Sequence, residues 1–385
     1  MKLFNKKIGI FDIIVLVILL YLFYNFTFTI QTDIQLHAQF IKDYAYGNKP
    51  FQVNFLYYFV VYALTFFSSK TSALHVMSVY VLTAATFSKY CIVKRLFIHN
   101  ISTITVKTAT LTSFILLFCF SLPILYFILD YFYLLTFPPN IWHNSTTIFV
   151  LPFSILLFWI SIKQLEVNNT KNLYYICFLI ILNVLIKPSF LFVYLIVYPF
   201  FLVLKYSFFK KNFWINLIPI FVALLLIFVE YYLIFLSNAE NKPSSAVIID
   251  FFYFYKNWSK GFNVYISLFI ALFSSLLFSL VTILKNKYLL KKEMILFSIV
   301  AVIISILISV SVRETGIREK DGNFLWQTFI CVYLLFFSCC FELFASINKN
   351  ENLFKKHKLE FTILGLHFVS GIIYLINIFI TNVYF

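Results

Sequence analysis

The sequence predicts an all-α fold, a polytopic transmembrane helical bundle, and three observations predict it. Hydrophobic residues make up 62% of the 385 residues. Charged residues make up only 12%, against about 25% in an ordinary soluble domain. The mean hydropathy of +0.93 is carried by repeated apolar runs of roughly the 20 residues that cross a bilayer. No water-soluble fold has an interior large enough for so much apolar surface, which excludes a soluble enzyme, a disordered chain and a nucleic-acid binder. The net charge of +15 therefore reads as topology rather than as affinity for nucleic acid. The abundance of Phe (52) and Tyr (26) beside only 7 Gly matches an AT-rich, bacterial coding bias and is not evidence of a ligand cage.

Taken in order, the chain opens with Lys2, Lys6 and Lys7 and an apolar run to about Ile30. That run is too long for a signal peptide and lacks a small-residue cleavage site, so it reads as a retained first span. Further spans are expected near 74–93, 109–129, 147–162, 172–186, 189–204, 214–236, 264–284, 294–312, 326–345 and 360–380, which with 11–30 makes about eleven. The stretch 53–67 is apolar but short and rich in Tyr, which suits an interfacial helix. If it does not cross, the inner segments collect 20 of the 30 basic residues, Lys89, Lys94 and Arg95 among them; if it crosses, the bias reverses. The positive-inside rule thus places the N-terminus inside and the C-terminus outside, in one membrane domain spanning 1–385 of a multi-pass plasma-membrane protein. The six cysteines fall in apolar stretches without metal-binding spacing, so neither a disulfide nor a metal is expected.

On this topology the inner loops are almost purely basic, while the outer segments hold polar groups of both signs. In the first outer loop, Asp33 and His37 are four residues apart and share a face if the segment is helical. A carboxylate held there can act as a general base toward a hydroxyl, with Asp43 as a rival; a plain helix cap is the structural alternative. Trp142-His143-Asn144 offers an aromatic plate and hydrogen-bonding groups for a sugar, or an interfacial anchor and a cap. Lys187-Pro188 marks a helix break beside a cation. Only three of the 30 basic residues are arginine, and Arg313 and Arg318 share one outer loop (313–325) with Glu314, Glu319, Asp321 and Asn323. Arginine forks onto phosphate; the alternative is a locally ion-paired loop. Glu230, inside a span, is expected to face the bundle or the outer interface. Phosphate-cradling Gly loops and zinc or serine hydrolase motifs are absent from the sequence.

An inside-to-outside first span, an acidic outer loop (Asp33, His37, Asp43), Pro50 with a Leu56-Tyr57-Tyr58 helix, a second span ending in Lys94-Arg95 and a break at Ile186-Lys187-Pro188 together resemble the multi-span GT-C glycosyltransferases. The resemblance covers roughly residues 1–210, leaving 211–385 as additional spans. It implies a sugar or glycan repeat carried on a polyprenyl phosphate or diphosphate, a glycan or lipid-linked acceptor at the outer face, and a first-loop Asp as base, by position Asp33. The family often has two adjacent acids there, whereas Ile34 follows Asp33 here. The segments around Trp142 and around Arg313 to Phe324 also resemble bacterial surface-polysaccharide proteins, polymerase-like members among them. On this reading Arg313, Arg318 and Lys187 meet the phosphate, His37 and His143 orient substrates, and a divalent cation at Asp33 and Asp43 is an option without enough ligands to predict one. Two rival classes are a lipid-linked oligosaccharide flippase, disfavoured by few midplane charges and no internal repeat, and a non-catalytic scaffold of a polysaccharide assembly.

Overall fold

A backbone in lipid must satisfy its own hydrogen bonds, so apolar runs of this length fold as helices. The computed structural model describes residues 9–236, 246–319, 322–347 and 353–384. In chain order the helices are α1 (Ile10–Phe28), α2 (Asp33–Ala45), α3 (Leu56–Leu64), α4 (Thr71–Asn100), α5 (Val106–Phe118), α6 (Tyr126–Leu129), α7 (Ser145–Val167) and α8 (Thr170–Ile186). They continue with α9 (Ser189–Lys205), α10 (Lys211–Tyr231), α11 (Tyr253–Trp258), α12 (Val264–Lys285), α13 (Glu293–Ser311), α14 (Trp326–Ala345), α15 (Leu353–Lys356) and α16 (Lys358–Thr381). Eight of them (α1, α4, α7, α10, α12, α13, α14 and α16) are long and apolar enough to cross a membrane. The helices α5, α8 and α9 are apolar but shorter. Lys2, Lys6, Lys7, Glu240, Lys242, Lys320, Asp321 and Lys349 lie outside the described residues.

Two elements depart from those expected, the break after α5 and a strand pair, while the short helix expected within 53–67 is present. The run 109–129 is not one helix: α5 ends at Phe118 and the chain continues extended through Cys119 (ψ 139). Pro123 is the reason, since its ring excludes a helical carbonyl four residues back and it has no N–H to donate. The segment 53–67 yields only the nine-residue α3, about 14 Å long and short of a hydrocarbon core of about 30 Å. Strands β1 (Val247–Ile249) and β2 (Val312–Glu314) pair antiparallel, with Ile248 opposite Arg313, a small exception to an all-helical chain.

The chain divides into two compact units. The first comprises 1–120, 140–152 and 340–385, and the second 121–139 and 153–339.

In the first unit α1, α2, α3 and α5 pack on α4, and α16 packs on α5. The broken end of α5 has orphan backbone groups that must find partners. Phe120 donates its N–H to the His367 carbonyl (2.9 Å), and His367 Nδ1 meets the Phe120 carbonyl (2.7 Å). Asn140 Nδ2 donates to the carbonyls of Leu116 (3.0 Å) and Cys119 (2.7 Å). Lys89 Nζ in turn donates to Asn140 Oδ1. Lys89 is only 4% exposed, so it is not the loop residue that the charge pattern suggested. Its amino group reaches the end of α5 only through Asn140. Asp12, in the first turn of α1, is not a solvated span end. It is buried and accepts from Lys94 Nζ (2.6 Å), Tyr90 Oη (2.7 Å) and the Gly9 N–H (2.9 Å), tying α1 to α4.

In the second unit α8 and α9 pack on α10, and α13 on α9. Polar pairs inside it are satisfied in kind: Ser154 Oγ donates to Asn183 Oδ1 (2.7 Å), and Gln164 Nε2 to Asn216 Oδ1 (2.7 Å). Glu230 of α10 is buried.

Candidate functional site

In the first unit the polar groups of the expected first loop are built on two helix starts. Thr32 is the N-cap of α2: its side chain accepts from the Ile34 N–H, and Gln35 Oε1 accepts from the Thr32 N–H (2.9 Å). The capping role considered for Asp33 is therefore taken by Thr32, and Asp33 becomes the first helical residue. Negative charge is well placed in that first turn. Asp33 is half-buried, and its Oδ2 accepts from Asn144 Nδ2 (2.8 Å).

Asn144 is itself the cap of α7. Its Oδ1 accepts from the Thr147 N–H (3.1 Å), Thr147 Oγ1 (2.8 Å) and Thr146 Oγ1 (3.1 Å). Three donors on one oxygen fix the amide orientation, which aims the NH2 group at Asp33. A cap residue thereby joins the starts of α2 and α7 through a carboxylate.

His143, adjacent to Asn144, is 2% exposed. Its ring lies flat on Tyr384, with centroids 4.2 Å apart and planes at 17°. Burial and the Asp33 charge push the Tyr384 phenol up to about 12, so it remains a proton donor at neutral pH. His37 lies one turn after Asp33 on α2, buried among the rings of Phe40, Tyr57 and Tyr58, with its nearest centroid at 5.4 Å. Trp142 lies in the core, stacked on Phe118 (5.3 Å, 19°) and close to Phe23. Asp43 is engaged by Gln39 Nε2 (2.6 Å) and Lys49 Nζ (3.2 Å). The hydrogen bond from Gln39, then Lys49, holds its carboxyl below the usual range. The first unit thus brings Asp33, His143, Asn144 and Tyr384 together and gives Asp43 separate partners.

In the second unit the other expected residues form an ion-paired cluster. Arg313 donates from Nε to Asp250 Oδ2 (2.8 Å) and from Nη1 to Glu319 Oε1 (3.0 Å), and lies over the Tyr253 ring (4.0 Å). Glu319 also accepts from Tyr253 Oη; that bond, more than burial, raises the phenol above its ordinary value. Glu314 is buried, faces Arg318 Nε (3.2 Å) and accepts from Asn323 Nδ2. Among the described residues these pairs set two guanidiniums against three carboxylates, so an incoming phosphate would compete with carboxylates already in place. Lys187, which follows α8, lies 4.4 Å over the Trp326 ring. Among the described residues, no group of three or more His, Cys, Asp or Glu is placed to hold a metal ion.

Sequence reasoning missed Tyr384, which carries no motif and lies 351 positions from Asp33. It also missed that Asn144 joins both helix starts; the Asn-Ser-Thr-Thr run before an apolar stretch was the available signal for the cap alone. No family model, curated protein or solved structure matches this chain.

Proposed function

We propose that this protein is a membrane glycosyltransferase of the cell surface. It would move a sugar or glycan repeat from a polyprenyl-phosphate or -diphosphate carrier to a glycan or lipid-linked acceptor, on the outer face of a bacterial plasma membrane. The observation that carries the reading is the Asp33 carboxylate: spared from capping by Thr32, held through Oδ2 by Asn144, and flanked by His143 and Tyr384. Among the described residues Oδ1 has no hydrogen-bond donor, and it takes the acceptor's hydroxyl proton. The acceptor oxygen then bonds to the anomeric carbon as the carbon–oxygen bond to phosphate breaks, and the electron pair leaves on the phosphate. Lys187, Arg313 and Arg318, the candidates for a carrier phosphate, belong to the second unit and are proposed on their chemistry alone. Eleven spans with the N-terminus inside remain part of this proposal, with α5, α8 and α9 crossing as shorter helices.

The test is Asp33→Asn in a lipid-linked glycan-synthesis assay on membranes holding equal amounts of protein. Transfer falls by about 10²–10⁴-fold on loss of a general base; near-normal product would end the assignment.

A flippase reading gains one observation that the sequence did not offer. The broken end of α5 and the buried Lys89 belong to the kind of discontinuous helix and interior charge that transporters use. Movement of a lipid-linked oligosaccharide across vesicles without sugar transfer, abolished by Lys89→Met, would favour it.

A further inference from the structure

An aromatic partner for the sugar-handling residues was expected from Trp142, which instead packs on Phe118 in the core. The ring that stands beside them comes from the other end of the chain. After α16 the backbone turns at Asn382, in the left-handed region with φ 56. Thr381 Oγ1 steadies the turn by accepting the Val383 N–H (3.3 Å). Tyr374 Oη donates to the Tyr384 carbonyl (2.9 Å), and Tyr374 is itself stacked on Phe120 (4.0 Å, 15°). A buried aromatic pair thus pins the backbone of residue 384. The only freedom left to its side chain is rotation, and the ring lies flat on His143.

We infer that Tyr384 is a positioning residue of the Asp33 site, its ring fixing the His143 imidazole. The assignment rests on the reading of that site as the place of sugar transfer. A ring held by stacking keeps one orientation through the reaction, and small misplacements of a reacting group cost large factors in rate. The geometry that carries the assignment is the flat stack of the Tyr384 ring on His143, the residue next to the Asn144 that holds Asp33.

The experiment uses the full chain in membranes, with Tyr384→Phe and Tyr384→Ala. Carbethoxylation of His143 by diethylpyrocarbonate, followed by mass spectrometry, reads the ring without any need for activity. It should speed up several-fold in Tyr384→Ala and stay at the wild-type rate in Tyr384→Phe. An unchanged rate in Tyr384→Ala overturns the inference. Transfer from radiolabelled undecaprenyl-phosphate glucose reads the effect on the reaction. Here kcat should fall about tenfold in Tyr384→Ala and stay within about twofold of wild type in Tyr384→Phe, which keeps the ring, with KM within about twofold in both. Equal kcat in all three proteins overturns the inference as well. If the wild type transfers no glucose, this donor is excluded, and the labelling arm still decides whether Tyr384 fixes His143.

Discussion

Asn144 serves two masters with one amide, and the two roles separate by substitution. Aspartate caps a helix as well as asparagine does, so Asn144→Asp keeps the cap, and its thermal midpoint in detergent should fall only through repulsion between two adjacent carboxylates, a loss that acid pH relieves. The same change replaces the donor on Asp33 with a carboxylate and should lower sugar transfer by about 10²-fold or more. Asn144→Ala should do both kinds of damage, costing about 1 kcal/mol for the cap as well as activity. Equal activity in Asn144→Asp and wild type would show that the contact with Asp33 is incidental. Asp33, His143 and Asn144 were legible in the sequence; Tyr384 and the connections among them were not. Asp33 and Asn144 are 111 positions apart, and spacing arguments reach only one or two helical turns. Arg313 shows the other side of that limit. Its rarity among the basic residues singled it out, but only the structure shows it already engaged by Asp250 and Glu319.

Among the elements, the joint between α5 and α16 carries the sharpest expectation. A Cβ at Gly371 would lie 1.7 Å from the Phe118 carbonyl oxygen, a backbone atom that cannot swing away. Gly365, on the same helix, has nothing within 4 Å of the same position. Gly371→Ala should therefore destabilise by about 1–3 kcal/mol or more through overpacking, while Gly365→Ala should be neutral or stabilising. Thermal unfolding of the two variants in one detergent checks the contrast. Apolar run length located every long helix, because lipid thickness and helix rise leave little choice, but it stopped α4 seven residues and α7 five residues before their ends. It extended α5 too far because hydropathy stays high through Cys119, Phe120 and Leu122, and the decisive residue, Pro123, is itself tolerated by hydropathy scales. Elsewhere Pro152, Pro199 and Pro219 sit inside helices, so a proline alone does not say which run it ends. The buried Lys89 and Asp12 escaped notice for a related reason. Charge near a span end normally marks an interface, and only tertiary packing reveals a partner such as Asn140, or Tyr90 and Lys94.

For the whole molecule, the proposed orientation makes a prediction independent of any chemistry. In a cysteine-free background, Asn48→Cys, in the exposed segment after α2, should react with a membrane-impermeant maleimide on intact cells. Lys287→Cys, between α12 and α13, should react only after the membrane is opened. The reverse pattern would invert the topology and remove Asp33 from the outer face. The class of the molecule was plain from composition, since no other architecture disposes of so much apolar surface. Its partition into two units was not, because neither unit is continuous in sequence. That interleaving bears on how the protein is made. The frayed end of α5 emerges from the ribosome early, yet the carbonyl and imidazole of His367 that complete it are synthesised 247 residues later. The first-born helices therefore wait through most of translation with open backbone groups in the bilayer, and a chain stalled before α16 should be a ready substrate for membrane quality-control proteases.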